Sequence, residues 1–448
     1  MKIHFIAIGG SIMHSLAIAL KEAGHEVSGS DDQIYDPARS KLAVHGLLPA
    51  AEGWHPERIQ DDLDVVILGM HAFADNPELL KAKELGLLMQ SFPEFIFSQS
   101  EHCHRVVVAG SFGKTTITSM IMHVLEGVGK KFNYLVGATV DGFANSVRLD
   151  ADAPVIILEG DEYLASKLDP RPKFLLYKPH ITLITGIDWD HINVFPTEEV
   201  YIEQFSNLIK SLGKAGNLIY NQEDDRLTDR AEAFTNPDHH YLHPYQTPEY
   251  KVKDGRFHIC LESQWQSLSI AGRHNMGNVA AAWEVCQLLS VPVEAFLEHI
   301  GYFKGAGMRM ETLSEDDQKT IIRDYAHAPA KVRATVQAVR ERFPDRNLIA
   351  CFELHTFSSL NAAFLPHYEK SLAPADHAMV FVDPAAFEKR RMQALTAQEI
   401  QNGFAEEALQ IHRTPNSLSD ALKAAQTGND VILLMSSGKF GGLMIDAL

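Results

Sequence analysis

Short apolar runs, each followed by a segment with apolar residues at helical spacing, recur along the whole chain. Residues 2–8 (KIHFIAI) form a nearly continuous apolar run of the kind a buried parallel strand needs. Gly9, Gly10 and Ser11 then permit a tight turn, and residues 13–24 (MHSLAIALKEAG) read as a helix closed by a glycine. Residues 25–31 and 63–69 supply two more strands, and Asn76-Pro77 opens another helix. This alternation predicts a small doubly wound α/β unit ending near residue 103.

A second start follows at residues 104–129 (HRVVVAGSFGKTTITSMIMHVLEGVG), again strand, glycine loop and helix. VIILEGDE and HITLITGIDWDH add apolar strands whose C-terminal ends carry acidic and imidazole groups, the edge at which open α/β sheets bind ligands. Residues 251–272 alternate around an Asp-Gly turn, which predicts an antiparallel hairpin attached to this second sheet. After Phe303 strands and helices alternate again. The expected fold is α/β, three consecutive domains spanning residues 1–103, 104–304 and 305–448.

Composition narrows the partners. Of the 448 residues, 46% are hydrophobic and 22% charged, ordinary for a globular protein. The net charge of -18 argues against a general nucleic-acid or anionic-membrane surface, which rewards a basic face. Four scattered cysteines with no C-x-x-C pair, no cleavable leader pattern and no apolar run of about 20 residues predict a cytoplasmic protein that does not enter membranes.

The chemistry begins at Gly110-Ser111-Phe112-Gly113-Lys114-Thr115-Thr116, between an apolar strand and a helix. Backbone N–H groups of such a loop cradle phosphate oxygens, Lys114 reaches the β- and γ-phosphates, and the Thr115 hydroxyl can ligate Mg2+. Val108 stands where a standard Walker A sequence has its first glycine. Glu159 and His191, each following an apolar strand, offer a carboxylate and a neutral imidazole to metal ions beside a triphosphate. Asp161 and Glu162 stay open between a role here and a solvated loop face.

AGSFGKTT, EGDEY, DWDH, AGRHNMGNVAAA, GAGMRMETL and RDYAHAP, in this order and spacing, resemble the Mur ligase family across essentially the whole chain. The resemblance implies an ATP-dependent ligase of bacterial cell-wall synthesis. It implies an N-terminal Rossmann-like domain for the UDP-sugar, a central P-loop ATPase-like domain and a C-terminal Rossmann-like domain for the incoming amine. Gly110, Ser111, Gly113, Lys114, Thr115 and Thr116 would bind ATP, and Thr115, Glu159 and His191 would hold Mg2+. Asn275 would contact adenine, Asp324 the ribose and Arg309 the γ-phosphate, which makes Lys114, His191 and Arg309 the catalytic set. On their own residues, Asn275 and Asp324 read equally well as helix and strand-end caps. Gly9, Gly10, Ser11, Asp31 and His71 are candidates for the UDP-sugar. Tyr325, His327 and His355 are candidates for the incoming peptide, although both histidines also read as ordinary loop residues.

Departures from the family pattern refine the expectation. Ser206 occupies the position of the carbamylated lysine found in other branches, which points to the branch that activates UDP-N-acetylmuramate. Three features then favour attachment of the tripeptide L-alanyl-γ-D-glutamyl-meso-diaminopimelate, in peptidoglycan recycling. Ala7 and Ile12 replace the outer glycines of the N-terminal turn; Ser359 stands where an arginine would receive the carboxylate of a single amino acid; and the tail reads MSSGKFGGL. Ala328 replaces a histidine usual in both kinds of relative. L-alanine is the alternative amine. The expected route is attack of the lactyl carboxylate on the γ-phosphate, then attack of the amine on the acyl phosphate, with the C-terminal domain closing on ATP.

Rival readings are weaker. An NAD-dependent oxidoreductase is disfavoured because G-x-G-x-x-G is broken at Ala7 and Ile12, and it leaves the lysine loop unexplained. A non-enzymatic phosphate-loop regulator has no use for Glu159 and His191. Zinc at Glu101-His102-Cys103-His104 would require adjacent residues to share one tetrahedral ion.

Overall fold

The computed structural model describes residues 1–70, 72–190, 194–236, 238–307, 309–445 and 448, so His71 and His191 lie outside the described residues. The chain divides into two compact units. The first comprises Met1–Ile187, Ile202–Tyr245 and Ala281–Pro292; the second comprises Asp188–Tyr201, Gln246–Ala280 and Val293–Leu448.

The first unit holds two sheets. β1 (Lys2–Ile6), β2 (Glu26–Ser30), β3 (Val65–Leu68) and β4 (Met89–Ser91) run parallel in the order β2-β1-β3-β4. β1 and β3 are the inner strands and are almost wholly buried, as their unbroken apolar runs require. The helix Pro77–Glu84 starts where expected, with the Asn76 side chain accepting from the amides of Glu78 and Leu79.

The second sheet is built from β5 (His104–Ala109), β6 (Asn133–Leu135), β7 (Val147–Arg148), β8 (Val155–Glu159), β9 (Ile181–Ile184), β10 (Gly216–Asn221) and β11 (His240–Tyr245). Their order is β11-β10-β9-β5-β8-β6-β7, parallel except for the β6–β7 pair. β5 lies inside, flanked by β8 and β9, so its C-terminal end opens onto the loops that follow both neighbours. The Asn145 amide donates to the Ser15 carbonyl at 2.8 Å and ties the two sheets' layers together.

In the second unit, β12 (Tyr250–Lys253), β13 (Arg256–Leu261) and β14 (Gln264–Leu268) form an antiparallel sheet of their own. The alternating segment is thus a hairpin extended by a third strand, and it does not join the seven-stranded sheet. β13 buries Phe257, Ile259 and Leu261 at every second position, enough apolar surface for a separate small sheet. β15 (Glu311–Glu315), β16 (Lys319–Asp324), β17 (Asn347–Glu353), β18 (His377–Phe381), β19 (Gln410–His412) and β20 (Asp430–Met435) follow in the order β15-β16-β20-β17-β18-β19. Only β15–β16 is antiparallel. β17 and β20 are buried along almost their whole length and pack Phe352, Leu433 and Met435 into the core. Among the described residues no helix is long and apolar enough to cross a membrane.

Candidate active site

The phosphate loop hangs from the C-terminal end of β5. Gly110 has φ 126°, and a Cβ there would fall onto the Thr185 hydroxyl and 2.7 Å from the Thr185 amide, so only glycine fits. The Ser111 amide donates to the Gly186 carbonyl at 2.9 Å, fixing the loop against the end of β9. Gly113, at φ 74°, precedes the helix Lys114–Gly127 and offers no side-chain cap, so the first-turn N–H groups face outward as an anion site.

Acidic residues from the end of β8 meet this loop. The Thr115 hydroxyl donates to Glu159 Oε1 at 2.7 Å, and the other Glu159 oxygen accepts from the Gly137 amide at 2.7 Å. Thr115 and Glu159 are hard oxygen donors already side by side, which suits Mg2+, an ion commonly bound by one or two protein ligands together with phosphate oxygens. Lys114 Nζ lies 2.6 Å from Glu162 Oε2, and Lys173 pairs with Asp161 at 2.6 Å. Burial alone would lower the Lys114 ammonium, but Glu162, Asp161 and Glu159 hold it above the ordinary lysine value. Glu162 is therefore not a solvated loop residue. The sequence signal for it was its place three residues after Glu159; its lysine partner lies 48 positions away and left no local mark.

At the N-terminal turn the structure brings Gly9 and Asp31 together. Asp31 is buried and accepts from the Gly9 amide at 2.8 Å, while Ser11 is exposed. Ala7, in the position of an outer glycine, adopts φ 72°.

In the second unit, Asp324 ends β16. Its carboxylate accepts from the amides of Met310 and Ala326, both at 2.7 Å, and from the Thr335 hydroxyl at 3.3 Å. The Arg309 guanidinium lies 5.0 Å from the Tyr325 ring centroid. Asn275 spends its amide inside the first turn of the helix Arg273–Leu288, donating to the Ala271 carbonyl and accepting from Asn278. Sequence reasoning passed over His274: its Nδ1 is buried without a hydrogen-bond partner. Burial and Arg309 push that imidazole down, against Asp324.

His327 Nδ1 lies 2.9 Å from the Tyr325 carbonyl oxygen. Burial, helped by Lys331 and Arg309 and opposed by Asp190, pushes this imidazole down to about 3. Neutral His327, with Nδ1 carrying the proton, leaves Nε2 able to accept a hydrogen bond but makes the ring a weak base. His355 follows β17, across β20 from β16, with Nδ1 3.8 Å from Glu353. Burial lowers it, as do Arg390 and Lys389, while Glu353 opposes.

Comparison with known proteins fits this arrangement. Residues 2–100 match the model of the Mur ligase family catalytic domain, 108–286 the Mur ligase middle domain, and 308–438 the Mur ligase, glutamate ligase domain. UDP-N-acetylmuramate--L-alanine ligase of Limosilactobacillus reuteri is 31% identical over 390 residues, 84% of each chain. Among solved structures, the UDP-N-acetylmuramate:L-alanyl-gamma-D-glutamyl-meso-diaminopimelate ligase from Neisseria meningitides is 28% identical, with a TM-score of 0.61 over 68% of this chain and 98% of that one. UDP-N-acetylmuramate-alanine ligase from Thermotoga maritima shares the fold, with a TM-score of 0.72 at 19% identity over 98% of this chain and 96% of that one. The chain belongs to the Mur ligase family, three-domain α/β enzymes that form amide bonds with ATP and Mg2+.

The tripeptide expectation is overturned. Relatives that match at about 30% identity over most of the chain carry the L-alanine name, and the tripeptide ligase is a structural neighbour only. Each feature that favoured the tripeptide has a local structural use. Ser359 is fully buried and closes a turn, its hydroxyl accepting from the Thr356 amide at 3.0 Å and donating to the Thr356 carbonyl at 3.1 Å. Ser436 of the tail donates to Glu353, and the Phe440 amide donates to the same carboxylate at 2.9 Å. Ala7 shapes a backbone turn.

Proposed function

We propose that this chain joins the lactyl carboxylate of UDP-N-acetylmuramate to the amine of L-alanine, converting ATP to ADP and phosphate. The observation that carries the reading is the run of L-alanine-ligase relatives spanning most of the chain. A carboxylate oxygen forms a bond to the γ-phosphorus as the bridging P–O bond to ADP breaks. The neutral amine then attacks the acyl carbon, loses a proton, and phosphate departs. Lys114 and the first-turn N–H groups hold phosphate oxygens; Thr115, Glu159 and His191 hold Mg2+, which neutralises charge on the phosphates when bound. Asn275, Arg309 and Asp324 serve the nucleotide, Gly9, Gly10, Ser11, Asp31 and His71 the UDP-sugar, and Tyr325, His327 and His355 the amine. Domain boundaries near residues 103 and 304 and a cytoplasmic location belong to the same proposal. The four cysteines, all free, support a reducing compartment.

The test is phosphate release from ATP, Mg2+ and UDP-N-acetylmuramate with L-alanine or with the tripeptide. L-alanine should support turnover. Turnover with the tripeptide alone would sink the assignment.

A further inference from the structure

One carboxylate seats the loop that follows β20. Glu353, the last residue of β17, is almost fully buried and accepts from the Phe440 amide at 2.9 Å and from the Ser436 hydroxyl. That hydroxyl accepts in its turn from the Gly438 amide at 2.6 Å. The Ser436 amide donates to the Asp324 carbonyl at 2.9 Å, so the loop is tied to β16 where it starts and to β17 where it ends. Phe440 is held at φ 48°, a conformation that costs energy for an L-residue and persists where the surrounding bonds impose it.

The same loop backs His355. A Cβ on Gly438 would fall 2.8 Å from both Glu353 Oε2 and His355 Nδ1, so the loop backbone lies flat against the carboxylate and the imidazole together. The His355 side chain is still 36% exposed, which leaves it a face for a ligand. We propose that Glu353 is a positioning residue for the incoming amine: its carboxylate seats residues 436–440, and Gly438 in that loop fixes the imidazole of His355. The proposal rests on the reading of His355 as a residue that meets the amine. The nucleotide side is held separately, since the Asp324 carboxylate is bound by the Met310 and Ala326 amides and the Thr335 hydroxyl.

Steady-state kinetics of the full chain, with L-alanine and ATP varied in turn, test the seat. Glu353→Met fills the space without an acceptor; it should raise the L-alanine KM about tenfold and leave the ATP KM within about twofold. Glu353→Gln keeps an acceptor oxygen and should stay within about threefold of wild type. Ser436→Ala removes one link and leaves the carboxylate in place; it should raise the L-alanine KM in the same direction and carries the test if Glu353→Met does not fold. Added to His355→Ala, Glu353→Met should change the L-alanine KM by less than about twofold, because its effect passes through that imidazole. An unchanged L-alanine KM in a folded Glu353→Met or Ser436→Ala protein overturns the seat. So does an equal rise of both KM values, or a full tenfold rise in the His355→Ala background. Failure of wild type to use L-alanine would instead sink the functional reading before any variant is compared, and the seat would then be read on the KM for the tripeptide.

Discussion

Ala7 and Gly69 face each other so closely that a Cβ on Gly69 would come within 2.9 Å of the Ala7 Cβ and 3.1 Å of the Ala7 carbonyl oxygen. Ala7 itself sits at φ 72°, where an L-residue is strained and glycine is not. Ala7→Gly should therefore be neutral or stabilising by up to about 1 kcal/mol, the relieved strain partly offset by a freer unfolded chain. Gly69→Ala should cost about 2 kcal/mol or more, and the pair together should recover part of that loss. Urea midpoints of the four proteins give the coupling; strict additivity would mean that the two side chains do not compete for the same space.

Lys114 and Glu162 make a partly buried pair whose two roles separate in variants. Lys114→Met removes the ammonium 2.6 Å from the buried Glu162 carboxylate and should cost about 3–5 kcal/mol. Adding Glu162→Gln should restore most of that stability. Ligation should stay depressed by about 10²–10³-fold in both proteins, because the charge that faces the phosphate is missing in each. A double variant that recovered turnover along with stability would show that Lys114 acts only as a structural counter-ion.

Protonation of His327 links acidity to folding. Its imidazole is pushed from an ordinary 6.5 down to about 3 in the folded chain, so between these values the unfolded chain binds the extra proton. Stability then rises with pH in this window: the contribution is fully present above 6.5 and is lost as pH falls toward 3. His327→Gln should lose less stability than wild type when urea midpoints are compared at about pH 7 and about pH 5. Identical losses would place this group elsewhere in the acid response.

Ser359 offers a direct check on the choice of amine. Because it is fully buried and closes its turn through Thr356, Ser359→Arg has to force a long cation into packed space. A loss of about 3 kcal/mol or more is expected, with no fall in the KM for L-alanine. A stable variant with a markedly lower KM would mean that position 359 does face the amine.

The same residues show how far a sequence carries. The strands β1, β3, β5 and β9 were legible because burial on both faces demands unbroken apolar runs, and the phosphate loop because glycine is required between such a strand and a helix. Glu162 was not legible: burial of a carboxylate depends on a counter-ion brought from a distant position. The hairpin from residue 250 was visible as a local alternation, but the body it packs on is a tertiary property. Asn275 and Asp324 looked as much like caps as like ligands, and both spend their polar atoms on their own chain. Ser359 misled for the opposite reason, since the missing arginine was read as a statement about the amine, while the serine itself is held in a turn with Thr356.

The contact between Gly110 and Thr185 reaches beyond the phosphate loop itself. The loop is shaped from the far side by the end of β9, whose residues come some seventy positions later in the chain. A chain that stops before β9, whether on the ribosome or in a truncation, contains every residue of the glycine loop and still lacks its wall. The loop therefore takes its shape only once Thr185 is in place beside it.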